Sequence, residues 1–286
     1  MAIPPDPVPR GPVRATLNFT HPPPPGETLI THVDATPTGE PRSNIRPNPQ
    51  AVLITDIRGR ESDFTLDRDA FQILRHQPPP SSEPSAFTDD ASIREHYYPE
   101  IASLLLATVP GATRIHLFDH TVRRPHPSAR RKAVQYPHID QTPLAAAKRV
   151  RTHLGPDADA LLRRRYRIIN VWRPLNPRPV ASLPLAFASS ASLAPHDVIP
   201  VERRDPAGYV GQTAAVAYNP DQRWYYLSGM TSDERVLLEC FDSEALKPGS
   251  GVQGGQVPHS AFADPRTRAD AEGRESIEVR ALVFGP

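Results

Sequence analysis

The chain has one cysteine, Cys240, among 286 residues. No disulfide can form within it, which fits a reducing compartment. Its surroundings, Val236-Leu-Leu-Glu-Cys240-Phe241, predict a buried, inert strand residue. No window approaches the roughly 18–20 apolar residues that a helix needs to cross a bilayer. The first residues, Met1-Ala-Ile-Pro-Pro-Asp-Pro, lack the charged and apolar regions of a secretion signal. The expectation is therefore a soluble, cytoplasmic protein without a membrane partner. Neither sign of charge dominates, with 33 basic and 32 acidic residues and a net charge of +1. Arg163-Arg164-Arg165 and Arg130-Arg131-Lys132 are short enough to be solvated faces, so nucleic acid is not an expected partner. There is no repeat of fixed period, no Gly-rich phosphate loop and no strand–helix alternation, which sets nucleotide-binding folds aside.

Proline is abundant instead, with 36 residues against an average usage of about 5%. Many fall in the first fifty positions and in the run from Pro78 to Pro84, which reads as extended connection because proline fixes φ and removes a donor. Apolar residues, at 38%, suffice for a sizeable core. One domain over 1–286 is expected: a Pro-rich N-terminal extension (1–50), helices and outer strands (51–165), then most of the β core (166–286). Alternating or β-branched runs predict strands at 13–20, 51–57, 113–120, 166–172, 181–188, 209–218, 222–228, 235–241 and 275–284. Asp67 is expected to cap a short helix carrying Phe71 and Leu74. Residues 89–107 carry a helical stripe that Pro99 should kink or split. Thr142-Pro143 is a cap followed by a first-turn proline, opening a helix to about Gly155, and a shorter helix covers about 158–164. Helices early and short strands late predict a mainly β fold with flanking helices, as in a cupin-like jelly roll.

The most informative spacing lies in Val134-Gln-Tyr-Pro-His138-Ile-Asp140. On a strand, positions i and i+2 share a face, so His138 and Asp140 can offer an imidazole and a carboxylate to one cation. His259 lies 121 residues later, in Gln256-Val-Pro-His259. Two histidines and one carboxylate on one side of a metal leave open positions, the set used by non-haem Fe(II) oxygenases. Arg274 and Ser276 follow, again at i and i+2, and together can grip a carboxylate through the guanidinium fork and a hydroxyl. Arg280 shares their face and is the second candidate for that anchor. His116 and His120 are too far apart on their strand to be a ligand pair, and His126, His153 and His196 lack a partnering carboxylate pattern.

The chain resembles the fungal and bacterial oxygenases related to gibberellin desaturase, the asaB-type hydroxylase/desaturases and the CmcJ proteins. The stretches that carry the resemblance include Phe118-Asp-His-Thr-Val-Arg-Arg124, His138-Ile-Asp-Gln-Thr142, Asn170-Val-Trp-Arg-Pro174, Pro258-His-Ser-Ala-Phe262 and Arg274-Glu-Ser-Ile-Glu-Val-Arg280. They span about 50–284 in matching order. The resemblance implies a double-stranded β-helix, Fe(II) with 2-oxoglutarate and O₂ as cosubstrates, and hydroxylation, desaturation or cyclisation of a small molecule in secondary metabolism. It carries His138, Asp140 and His259 over as iron ligands, and Arg274 with Ser276 as cosubstrate anchor. Leu185-Ala-Phe-Ala-Ser-Ser-Ala-Ser-Leu193 departs from the family pattern, where Cys-Asp is frequent, and this leaves the pocket shape open.

Asn170 and Trp172 share a face and are expected near the iron, or else are a core aromatic and its hydrogen-bonded neighbour. Tyr136, with the parity of His138, is expected to reach the cosubstrate or to pack. Arg123 and Arg173 are candidates for a substrate carboxylate, with a surface role as the other reading. An amino-acid substrate, a cupin-like metalloenzyme without 2-oxoglutarate, and a homodimer are kept as alternatives.

Overall fold

The structure, a computed structural model, describes residues 8–33, 36, 39, 41–77, 87–126, 129, 131–205 and 210–286. The proline run from Pro78 to Pro84 lies outside the described residues. In chain order the strands are β1 (Val13–Thr20), β2 (Leu29–His32), β3 (Pro47–Asp56), β4 (Phe71–Leu74), β5 (Arg114–Arg123), β6 (His138–Ile139) and β7 (Tyr166–Pro174). They continue with β8 (Leu185–Ala188), β9 (Val198–Arg204), β10 (Val210–Val216), β11 (Trp224–Tyr226), β12 (Arg235–Asp242), β13 (His259–Ala261) and β14 (Ser276–Phe284). A nine-stranded sheet runs β1-β3-β11-β8-β13-β6-β10-β9-β2, and a five-stranded sheet runs β4-β12-β7-β14-β5. The two face each other as a jelly roll, as the sequence predicts. The helices are α1 (Leu66–Asp69), α2 (Asp90–Ser92), α3 (Tyr98–Thr108), α4 (Pro143–Leu154) and α5 (Ala158–Leu162).

Every residue of β7 is buried, because both faces of the small sheet are covered. Ile169 and Val171 pack with Ile277 and Val279 beneath Ile101 and Leu105 of α3. The opposite face brings Trp172 and Leu238 against Leu185 and Phe187 of the large sheet. Strong apolar runs without alternation are the sequence signature of such a doubly covered strand. The amphipathic α4 closes one end with Ala146, Val150 and Leu154 against Ile168, Leu282 and Phe284. Within the segment expected as an extension, β1 and β2 are strands of the large sheet. Val13, Ala15, Leu17 and Phe19 of β1 cluster with Ile139, Ala186 and Ala214, covering the back of the strands that carry the site.

One local expectation is corrected. Asp67 does not cap a helix through Leu74: Thr65 is at the cap position, the single-turn α1 ends at Ala70 in the left-handed region (φ 61°), and Phe71–Leu74 is strand β4. Pairing with β12 buries Phe71 and Ile73, and that burial outweighs local helix propensity. Pro99 splits its helix as expected: a π-helical turn over Ile93–Tyr97 interrupts the run directly before it, and Pro99 falls in the first turn of α3, where a proline is tolerated. The Thr142 cap forms as expected, its hydroxyl accepting from Ala145 N at 3.3 Å.

Candidate metal centre

His138 and His259 lie directly opposite one another on the antiparallel strands β6 and β13. Such neighbours sit close enough for their side chains to meet, and their ring centroids are 4.4 Å apart. Asp140, two residues after His138, presents Oδ1 at 3.5 Å from His138 Nε2. One donor atom from each of the three residues lies within 4.8 Å of the others. That is the separation expected of ligands around a single first-row cation.

Each candidate ligand is held by the atom that a metal would not use. His138 Nδ1 donates to the Tyr136 carbonyl at 2.9 Å and His259 Nδ1 to the Val257 carbonyl at 3.1 Å. A carbonyl only accepts, so both Nδ1 atoms carry hydrogen and both Nε2 lone pairs are free. Burial, reinforced by His259, pushes the His138 pKa down to about 3, keeping the imidazole neutral and able to ligate. Asp140 Oδ2 accepts from Asn170 Nδ2 at 2.8 Å and from Arg280 Nε at 3.0 Å. Burial alone would raise the Asp140 carboxyl, but the Arg280 guanidinium holds it well below the usual carboxylate range. Oδ1 is left as the anionic donor.

The inner face of the small sheet supplies the rest. On β14, Ser276, Glu278 and Arg280 point inward and pair with Arg123, Thr121 and Asp119 of β5 on one side. On the other side they pair with Pro174, Trp172 and Asn170 of β7. Arg280 donates to Asp140, Asp119, Thr121 and Glu278, so its donors are spent and it is not a free anchor. Arg274 differs. It is 5% exposed, its guanidinium lies 5.4 Å over the Trp172 ring, and one N–H meets the Leu183 carbonyl. Leu183 holds that carbonyl from a left-handed backbone (φ 48°), a conformation costing a branched residue about 1–3 kcal/mol. Burial and then Arg123, against the opposing pull of Glu278, bring the Arg274 pKa down to about 9, still a cation at neutral pH. Arg274 Nε and Ser276 Oγ are both buried without a hydrogen-bond partner. A buried cation and an unsatisfied hydroxyl two residues on are costly without partners, and a carboxylate is a group whose chemistry would satisfy both.

A narrow cavity of about 20 Å³ is shared by Arg274 and the two histidines, with Arg123, Trp172 and Glu278 also on its wall. A larger cavity of about 810 Å³ opens on the other side of His138 and Asp140. Arg123 borders both. The structure thus brings together His138, Asp140, His259, Asn170, Trp172, Arg274, Ser276 and Arg123. Tyr136 is 49% exposed at the rim of the large cavity, away from Arg274. Asn170 faces Asp140 rather than the narrow cavity. Arg173 is not part of the site: odd parity turns it to the other face of β7, where it is buried against the rings of Phe87 and Tyr97. His116, His120 and His153 lie apart from the donor set, His116 and His153 packed together and His120 on the Tyr98 hydroxyl. Glu278, Asp119 and Thr121 were not anticipated, although the parity of Arg280 and Arg123 on their strands points to them.

Residues 17–284 match the family model described as an oxidoreductase/YMDC permease-like domain. Among the described residues, no helix is long and apolar enough to cross a membrane. The hydroxylase/desaturase poxK of Penicillium oxalicum (strain 114-2) is 39% identical over 271 residues, covering 87% of this chain and 83% of its own. The Fe(II)/2-oxoglutarate-dependent dioxygenase nvfI of Aspergillus novofumigatus is 32% identical over 267 residues, or 91% of each chain. A solved structure of the iron and alpha-ketoglutarate-dependent endoperoxidase NvfI superposes with a TM-score of 0.88 at 30% identity, covering 96% of this chain and 98% of that one. The chain belongs to the Fe(II)- and 2-oxoglutarate-dependent oxygenases of the asaB-type hydroxylase/desaturase family.

Proposed function

We propose that His138, Asp140 and His259 hold the Fe(II) of this oxygenase and that Arg274 with Ser276 receives the far carboxylate of 2-oxoglutarate. The substrate is a small molecule of secondary metabolism, seated in the 810 Å³ cavity and hydroxylated, desaturated or oxidatively cyclised there. One observation carries the reading: three donor atoms, two from one short segment and one from 121 residues later, converge within 4.8 Å, each steadied through its other heteroatom. When bound, Fe(II) with 2-oxoglutarate and O₂ supplies the oxidation, with the cosubstrate decarboxylated to succinate.

The protein's part is placement. Asn170 and Arg280 fix Asp140 so that only Oδ1 faces the cation. Trp172 and the Leu183 carbonyl hold the Arg274 guanidinium, leaving Nε for the cosubstrate. Leu185 and Trp172 line the narrow cavity and exclude water, which strengthens the charge pairing there. A cupin-like enzyme without 2-oxoglutarate would leave Arg274 and Ser276 without a partner. The same proposal takes the chain as one oxygenase domain working in the cytoplasm, supported by cores shared between the sheets and by a buried free thiol at Cys240.

The test is succinate formation with Fe(II), ascorbate and 2-oxoglutarate, paired with anaerobic Mn(II) titration. His138→Ala and His259→Ala should each abolish turnover and weaken metal binding. Arg274→Ala should keep the metal and weaken 2-oxoglutarate by roughly two orders of magnitude, as losing one partner of a buried charge pair does. Turnover retained in either histidine variant removes that residue from the ligand set, and unchanged 2-oxoglutarate affinity removes Arg274 as anchor.

A further inference from the structure

The wall of the large cavity carries seven arginines and no lysine. Its aspartates do not balance them. There are five: Asp140 and Asp119 are taken by Arg280, Asp90 pairs with Arg94, Asp89 is spent capping Ser92 N, and Asp205 is also engaged. Of the arginines, Arg124 is bound to Glu275 and the Phe87 carbonyl, and Arg123 donates to the Lys132 carbonyl at 2.9 Å.

Arg149 and Arg203 are different. Arg149 lies on α4, one turn and a half beyond the ligand strand, with its guanidinium 5.3 Å over the Phe118 ring. Stacking of that kind leaves the N–H edge free. Arg203 lies on β9 opposite Gly211, so no side chain crosses from β10 to cover it. Both are half-buried, and among the described residues neither has an acidic partner. The same wall offers apolar side chains, Val134, Ala145, Val201, Ala214 and Ala215, interspersed with Gln141, Gln212 and Thr213.

From this we infer that the substrate enters as an anion: an amphiphilic small molecule whose carboxylate is gripped by Arg149 and Arg203 while its apolar body reaches toward His138. The inference rests on the oxygenase reading and adds a substrate class to it. A cavity of about 810 Å³ is in the range that buries a drug-sized ligand, roughly 300–1,000 Å³. Cationic side chains on the wall of a cavity also raise the local concentration of an anion and speed its arrival.

The probe is 4-phenylbutyrate against its neutral isostere 4-phenylbutyramide, titrated calorimetrically into the full chain loaded with Mn(II) and saturating 2-oxoglutarate. Saturation keeps the probe out of the Arg274 pocket. The acid should bind at least tenfold more tightly than the amide. Arg149→Gln and Arg203→Gln should each cut that ratio at least threefold, the double variant should bring it to about one, and Lys at either position should restore part of it. Thermal melts check that each variant folds. An amide that binds as well as the acid overturns the inference, and so does an advantage that survives in the folded double variant. Failure of the oxygenase reading shows separately, as absent 2-oxoglutarate quenching of tryptophan fluorescence in the unsubstituted Mn(II) protein.

Discussion

Asp140 shows how one carboxylate is divided between two tasks. Oδ2 is occupied by Asn170 and Arg280, and Oδ1 is left facing the two free imidazole nitrogens. A ligand held this way arrives at the metal already oriented, so the ordering cost is met in folding. Asn170→Ala should therefore lower metal affinity about 10–100-fold, the range for losing a group that steadies a ligand, with little change in fold because Arg280 remains. Anaerobic Mn(II) titration measures it, and wild-type affinity would show that Arg280 suffices alone. At this scale much was legible. The i, i+2 parity places His138 with Asp140 and Arg274 with Ser276 whatever the surroundings. The choice between Arg274 and Arg280 was not legible, because both are arginines near one strand. Only the acids waiting across β14 and β5 show that Arg280 is spent.

At the scale of elements, the site depends on very short pieces. β6 has two residues and β13 three, too few to hold register alone. Their neighbours hold them: β10 and β13 for β6, and α4 immediately after Asp140. The loop before His259 is pinned at Gly254, whose N–H and that of Gln253 donate to the Asp67 carbonyl at 2.7 Å each. A Cβ at Gly254 would sit 1.9 Å from the Leu66 carbonyl oxygen, which backbone cannot yield cheaply. Gly254→Ala should destabilise by about 1–3 kcal/mol, the range for overpacking, and weaken metal binding by loosening the approach to His259. Thermal unfolding with and without Mn(II) checks both effects. A melting point within one degree of wild type would refute the close approach. The same contact explains why residues 66–74 defied their local propensity. α1 is cut to one turn so that the Gly254 loop can cross it and β4 can pair with β12.

For the whole molecule, the rolled large sheet must be fastened where its strands end. Asp56, closing β3, accepts from Gly11 N at 2.8 Å, Arg58 N at 3.1 Å and Ser228 N at 3.1 Å. It ties the approach to β1 to the segment after β11. Burial would raise its pKa, but these hydrogen bonds win and hold it below the ordinary value of 3.8. A lowered folded pKa means stabilisation that is present above the unfolded value and lost as pH falls through the folded one. Asp56→Asn should thus be less stable than wild type by about 1–3 kcal/mol at pH 7. The gap should close as pH drops below about 4, where wild type also loses the charge. Urea unfolding at pH 7, 5 and 3.5 measures it; a gap independent of pH would contradict the charged tie.

The sequence alone determined what depends on neighbouring residues in the chain: strand parity, the Thr142 cap, the buried β7 run, and the shared face of His138 and Asp140 as candidate ligands. Tertiary structure decided what depends on burial and on partners far along the chain. It turned 71–74 into a strand, sent Arg173 under α3, spent Arg280 on Asp140 and left Arg274 open. The physical reason is that parity and capping are set by bonds one to four residues long. The fate of a charge is set by which opposite charge the fold brings within about 3 Å.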